Sequence, residues 1–511
     1  MQVASVQLAV HDLDDAAVAL DESLEAIAAA AARGARLVVL PECTWPGYVL
    51  GSAWPQRSRG LAPTTAVMGR YARLAAHAGI VLVVGLAVDD GGTTRNAAVV
   101  WDADGTLRGM AFKRFLWDFD RRWFTAGDDS PVFDTAVGRI GVLVCADGRM
   151  PEIARLLAVR GAQIVLDPTA WVTAGGDPAT WSNPQFEHML PTRARENGVW
   201  TVAANKVGIE RDAIAYCGRS CIIDPQGRVV AAAPTDRPAI TMWDCEPRPA
   251  VFPVARRPEL YGRLTAPTDG LAVTRATGQP MVPAAHTPRV AVDLLAREHR
   301  TGDAETLRDL GAAMVVRNRP SAAPDAATQP DAATPPDAAT PLLARHGDSA
   351  VLERPQGAVR WQRSHGPGAP GNAIGPVVDS AFGGLGVMFE EDGLAPEVCR
   401  SLMLDGADLV VWFVERLEVA GVAATRAAEN RIHLIVCAPA GAPTSARILA
   451  PTGGVLADAG DAARVITAVL PTCDPRRKQM APGTDVVTGR RPAQYHELTH
   501  VTTGWTAEAP A

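Results

Sequence analysis

GVLVCADGRMPEIARLLAVRGAQIVL, residues 141–166, decides how the chain reads, because the pattern occurs twice. It lines up without gaps against GVMFEEDGLAPEVCRSLMLDGADLVV at 386–411. Asp147 falls on Asp392, Pro151 on Pro396, Glu152 on Glu397, Arg155 on Arg400 and Gly161 on Gly406. In each copy an apolar run meets a polar turn, a helix opens on Pro-Glu, and a second apolar run follows a glycine. Strands alternating with helices in this way indicate an α/β architecture. A second block agrees, TRARENGVW (192–200) with TRAAENRIH (425–433), and a weaker third pairs GARLVVLPE (34–42) with GAAMVVRNR (311–319). Three matches in one order exceed chance, so the chain holds two copies of one fold, near 1–285 and 286–475. A polar tail, 476–511, follows. Within the second copy, SAAPDAATQPDAATPPDAATP (321–341) has nothing to bury and reads as a disordered or extended insert.

The same alternation extends outward through the first copy. ARLVVLPE (35–42), IVLVVGLAV (80–88), AAVVWD (97–102), GVLVCAD (141–147), AQIVLDP (162–168) and VWTVAAN (199–205) all read as buried strands. At 511 residues the chain exceeds what a single core fills. A net charge of −7 argues against a nucleic-acid or anionic-membrane surface, which needs a basic stripe. No apolar run approaches the roughly 18 residues a membrane span needs. The start, MQVASVQLAV, lacks the basic and apolar regions of a secretory signal. Eight dispersed cysteines form no CxxC pair, and the one close pair, Cys217 and Cys221, lacks histidine partners at metal spacing, so no metal or cofactor is expected. A reduced, cytoplasmic protein is the expectation.

Three groups in the first copy carry the chemistry: Glu42, Lys113 and Cys145. Cys145 sits where an apolar run enters a helix, and α/β sheets place ligands at such strand ends. The helix that follows should favour a thiolate and offer backbone N–H groups to an oxyanion. A cysteine nucleophile needs a base for its proton and a positive donor for the developing oxyanion. Glu42 and Lys113, each at a strand end, could supply them. Alone, each has a plain alternative: a buried structural thiol, a solvated loop acid, a surface lysine. The lysine usage argues otherwise, since only Lys113, Lys206 and Lys478 stand among 49 basic residues. A chain that otherwise uses arginine keeps at Lys113 a compact ammonium that a planar guanidinium cannot imitate. In the second copy Cys145 is replaced by Glu390 and Glu42 by Arg319, and no lysine lies between Arg289 and Cys473. That copy reads as catalytically inert.

LVVLPE (37–42) with GY at 47–48, FKRFLWDFDRRWFTAG (112–127), GVLVCADGRMPE (141–152) and RARENGVWTVAANKVG (193–208) with GRSCIIDPQG (218–227) together resemble the nitrilase superfamily of carbon–nitrogen hydrolases. The resemblance covers most of 1–285. It implies an α-β-β-α sandwich in each copy, the second degenerate, and a Glu–Lys–Cys triad. Glu42 would be the general base, Lys113 the stabiliser of oxyanion and intermediate, and Cys145 the nucleophile, with the Ala146 N–H completing the oxyanion hole. A second glutamate common in the family is Asp120 here, one methylene shorter. It could orient Lys113 or the attacking water, or merely pair with Arg121 or Arg122.

Family nitrilases usually follow the cysteine with Trp-Glu; this chain has Ala146-Asp147, the pattern of amidase and carbamoylase branches. The expected substrate is a small amide or ureide cleaved through a Cys145 thioester with release of ammonia. Nitrile hydrolysis and a non-catalytic scaffold are the alternatives. Arg149 could hold a substrate carboxylate; Tyr48, Trp117 and Trp171 could line the pocket; Asn205 lies near it by resemblance. A synthetase-coupled glutaminase would need a phosphate-binding loop that the chain lacks. The second copy is expected to pair with the first in place of a second subunit, and homo-oligomers of the whole chain are compatible with this.

Overall fold

The computed structural model describes residues 1–51, 61–173, 177–277, 287–294, 311–318, 340–354, 357–415, 420–439, 446–460 and 465–500. Most of the 321–341 insert, together with Arg319, lies outside them. Contacts divide the chain into two units. The first is Met1–Pro253 with Met480–Thr484, and the second is Val254–Gln479 with Asp485–Ala511. The division falls earlier than the boundary near 285, because residues after Val254 already pack within the second unit. Arg257 Nη1 donates to Ser364 O at 2.7 Å and to Gly371 O at 2.6 Å, and Tyr261 stacks on His365 at 5.7 Å.

The first unit contains two sheets. In spatial order the first runs Leu107–Phe112, Thr93–Trp101, Val81–Asp90, Leu37–Val39, Gln2–Ala9, Lys206–Glu210, Ile214–Cys217, Val172–Thr173, with Ala239–Asp244 also on Gln2–Ala9. The second runs Val229–Ala232, Cys221–Ile223, Trp200–Ala204, Ile164–Pro168, Gly138–Val142, Val132–Thr135. Strand periodicity assigns the faces. Leu37 and Val39 join Val81 and Val83 in a core shared with Ile140, Val142, Ile164, Leu166 and Val202 of the other sheet. Val38 and Leu40 turn the opposite way, onto Leu20, Ile27, Val67 and Tyr71 of the helices Ala16–Ala32 and Thr64–Ala78. With both faces covered, these strands are apolar throughout rather than alternating. The helix Pro151–Val159 closes the other side, its Ile153, Ala154 and Leu157 clustering with Val165. Helix, sheet, sheet and helix are thus stacked as expected.

The second unit again holds two sheets, here six-stranded each, one centred on Met314–Asn318 and Leu342–His346, the other on Ala407–Phe413 and His433–Cys437. Val290, Val316 and Leu343 meet Leu385, Leu409 and Ile435 between them. Among the described residues, no helix is long and apolar enough to cross a membrane.

Candidate active site

Each of the three groups stands just past a strand. After Leu37–Val39 the chain passes through Pro41 to Glu42, lying so close to the neighbouring strand that a Cβ on Gly85 would sit 2.3 Å from Pro41 O and 2.5 Å from Glu42 Cα. Only glycine fits there. Lys113 follows Leu107–Phe112 and is held by its backbone, donating to Asn96 O and accepting from Gly127 N, both at 2.8 Å. Cys145 follows Gly138–Val142 by three residues. It opens a 3-10 turn, Cys145–Arg149, in the left-handed region at φ +51°.

These strand ends bring the polar groups together. Lys113 Nζ lies 2.8 Å from Glu42 Oε1 and 2.7 Å from Asp120 Oδ2, with all three side chains fully buried. Asn96 Nδ2 donates to Glu42 Oε1 at 2.6 Å, while Glu42 Oε2 is buried with no hydrogen-bond partner among the described residues. Asp120, despite its shorter side chain, reaches the lysine. Its carboxylate also accepts from Tyr48 OH at 2.6 Å and from Trp117 N at 2.8 Å. Burial alone would lower the Lys113 pKa, but the carboxylates of Asp120 and Glu42 outweigh it and hold the pKa well above the usual range. The ammonium therefore stays charged in a place where an unpaired cation would not persist.

Asp147 fixes the Cys145 turn to the lysine segment. It accepts from Val144 N at 3.1 Å, Arg114 N at 3.0 Å and Phe115 N at 2.7 Å. Asp167 Oδ1 accepts from Cys145 N at 2.6 Å. With the Gln185 amide oriented to suit both neighbours, its nitrogen donates to Cys145 O at 3.0 Å and its oxygen accepts from Trp171 Nε1. Cys145 keeps 8% of its surface accessible. Burial, and next the Glu42 carboxylate, push its thiol pKa well above the usual value, with Lys113 opposing. The expectation of a helix-stabilised thiolate is thus corrected: the helix begins only at Pro151, and desolvation dominates. The thiol thus lies within electrostatic reach of the Glu42 carboxylate and the Lys113 ammonium, the kinds of group that base-assisted nucleophilic attack uses.

Among the other candidates, Tyr48 lies inside this network, its ring centroid 5.6 Å from Lys113 Nζ. Arg149 lies with its guanidinium 4.5 Å over the Trp117 ring, and burial lowers its pKa to about 10, against the pull of Cys145. Trp171 is buried. Asn205 is occupied by backbone, accepting from Trp171 N at 2.8 Å and donating to Gly218 O at 2.6 Å, so its visible work is to pin that strand end. Sequence reasoning missed Asn96, Asp147, Asp167, Gln185 and Glu210. Glu210 accepts from Tyr48 N at 3.1 Å, Val49 N at 2.8 Å and Tyr216 OH at 2.7 Å, setting the loop that carries Tyr48. No spacing rule marks these residues. The one available signal was the buried acid of the repeat, Asp147 with Asp392. Among the described residues, no group of three His, Cys, Asp or Glu side chains is placed to hold a metal ion.

The second unit retains the frame without the chemistry. Glu390 takes the same left-handed turn at φ +38°, and Asp392 accepts from Ser364 N at 3.1 Å and His365 N at 2.8 Å, as Asp147 does from Arg114 and Phe115. That register puts Arg363 where Lys113 stands. Strand pairing likewise puts Arg345 where Gly85 stands, and its guanidinium binds Glu390 at 2.7 Å and Glu415 at 3.0 Å. An ion pair fills the place of Cys145.

The carbon-nitrogen hydrolase family profile matches residues 2–247 and 342–477. A probable nitrilase of Schizosaccharomyces pombe is 29% identical over 45% of this chain and 86% of its own length. An (R)-stereoselective amidase of a Pseudomonas species is 32% identical over 46% of this chain and 82% of its own. N-carbamoylputrescine amidase of Solanum lycopersicum is 30% identical over 45% and 81%.

Proposed function

The chain belongs to the carbon-nitrogen hydrolase family, and from that premise we propose that its first unit hydrolyses a non-peptide amide or an N-carbamoyl bond through a Cys145 thioester. One observation carries this reading. A buried ammonium bridges two carboxylates at 2.8 and 2.7 Å, and one oxygen of Glu42, without a hydrogen-bond partner among the described residues, acts electrostatically on the Cys145 thiol.

In this scheme Glu42 takes the thiol proton as sulfur attacks the carbonyl carbon. The oxyanion of the tetrahedral intermediate is held by Lys113 and by the Ala146 N–H. Glu42 returns its proton to the departing nitrogen, ammonia leaves, and the acyl group remains on sulfur. Water, deprotonated by Glu42, then cleaves the thioester, giving a carboxylic acid and the free thiol. A carbamoyl substrate follows the same steps and yields an amine, ammonia and carbon dioxide. Asp120 keeps Lys113 charged and aimed, and Tyr48 and the Trp117 N–H keep Asp120 in place. Ala146-Asp147 after the nucleophile and the amidases among the relatives favour amides and ureides over nitriles. Arg149, half-buried and stacked on Trp117, suits a substrate carboxylate that would replace its weak 3.4 Å contact to Asn183 Oδ1.

An ammonia-release screen over carboxamides, N-carbamoyl compounds and nitriles, with carbon dioxide assayed alongside, tests the assignment. Ammonia from an amide or ureide, lost in Cys145→Ala, is the expected result. Turnover of nitriles alone, or release that survives Cys145→Ala, would refute it.

A further inference from the structure

The segment Met480–Thr484 belongs to the first unit although the whole second repeat separates it in sequence from Pro253. It lies on the turn that carries Asp120. Asp118 N donates to Thr484 Oγ1 at 2.6 Å, and the same hydroxyl donates to Leu116 O at 3.2 Å. Arg121 Nε donates to Gly483 O at 3.3 Å. Thr484 is fully buried, and Met480 packs against the cluster of Phe115, Leu143, Ala146 and Met150, which also takes in Trp117. One hydroxyl thus bridges the backbone on both sides of Trp117, whose own N–H donates to Asp120 Oδ2 at 2.8 Å. Asp118 is held in the left-handed region at φ +42°. A non-glycine residue persists there when its surroundings fix it, and its N–H finds its acceptor in the strap.

We propose that Met480–Thr484 is a positioning strap for the active site, with Thr484 fixing the 116–122 turn and through it the Asp120 carboxylate on Lys113. The first repeat then lacks part of its own site until the chain beyond the second repeat is laid across it. This gives the degenerate copy a use that needs no catalysis: it carries the strap. The inference rests on the proposed Glu42–Lys113–Cys145 chemistry. Thr484 itself touches no reacting atom; it is a positioning residue.

Iodoacetamide is the probe, since it needs no knowledge of the substrate. Its rate of alkylation on the Cys145 peptide is followed by mass spectrometry across pH 6–10 in full-length protein, well below the melting temperature. Wild type should label at Cys145, and Cys145→Ala should lose that label. Thr484→Val keeps the shape but leaves the Asp118 N–H buried without its acceptor. It should slow labelling about tenfold at pH 8 and move the pH profile upward, because a displaced Lys113 stabilises the thiolate less. Thr484→Ser should restore the wild-type profile, which a packing role alone would not require. Thr484→Ala serves should the valine variant not fold. Wild-type labelling and profile in a folded Thr484→Val or Thr484→Ala protein would overturn the strap while leaving the nucleophile standing. A wild type that does not label at Cys145 would overturn the underlying chemistry, and the strap with it.

Discussion

At the scale of single residues the site is a balance of desolvation against pairing. Burial alone would neutralise Lys113, and it is the adjacent Asp120 and Glu42 that keep it charged. Removing the ammonium leaves two buried carboxylates to repel one another. Lys113→Ala is therefore expected to lose roughly 3–5 kcal/mol of stability by denaturant titration as well as its activity. Glu42→Gln keeps shape and most contacts but cannot accept the thiol proton, so kcat should fall about 10²- to 10⁴-fold with the fold intact. The raised Cys145 pKa has a definite sign: the thiolate fraction is small near neutrality and grows with pH. Alkylation of the Cys145 peptide should climb about tenfold per pH unit, still rising at about pH 10, where an exposed thiol has levelled off. A plateau by pH 8 would contradict the burial argument. Glu42, Lys113 and Cys145 were legible in the sequence because their motifs are local and the chain spends so few lysines. Asn96, Gln185 and Glu210 were not. Asn96 meets Glu42 across 54 residues, and Glu210 meets Tyr48 across 162, pairings that exist only after the sheets form.

Elements decide whether those residues meet. The strands were legible as apolar runs, and the middle of each run lies inside a strand except for 141–147; the ends were not legible. The 141–147 run stops at Val142, and Cys145 sits in a turn of its own, because Asp147 draws the backbone N–H groups of Val144, Arg114 and Phe115 onto its carboxylate. Periodicity carries no trace of such side-chain capping. Close backbone approach is equally invisible until the strands pair. At Gly85 a methyl group would meet backbone that cannot swing away, so Gly85→Ala is expected to displace Glu42. A loss of about 1–3 kcal/mol, read as a lower melting temperature, should accompany at least a tenfold fall in activity. An unchanged rate would show that Glu42 tolerates the shift. In the second unit Arg345 stands at the register of Gly85, and its guanidinium pairs with Glu390, the residue at the position of Cys145.

For the whole molecule, the repeat was the most legible feature, and the tail the least. Polar and irregular in sequence, residues 476–511 gave no hint that Met480–Thr484 completes the first unit, since a five-residue strap has no periodicity to detect. A fragment of residues 1–285 lacks that strap and so loses Met480 from the cluster it packs against. Size-exclusion chromatography and ammonia release should find it insoluble or inactive; a soluble, fully active fragment would show the later chain to be dispensable. The most direct test of the chemistry is to quench the full-length protein in acid during turnover of whichever carboxamide or carbamoyl compound releases ammonia, then weigh the Cys145 peptide. It should carry the acyl or carbamoyl group as a thioester, absent from Cys145→Ala, which should also release no ammonia. Ammonia release that continues in Cys145→Ala, with the wild-type peptide unmodified throughout, would contradict it.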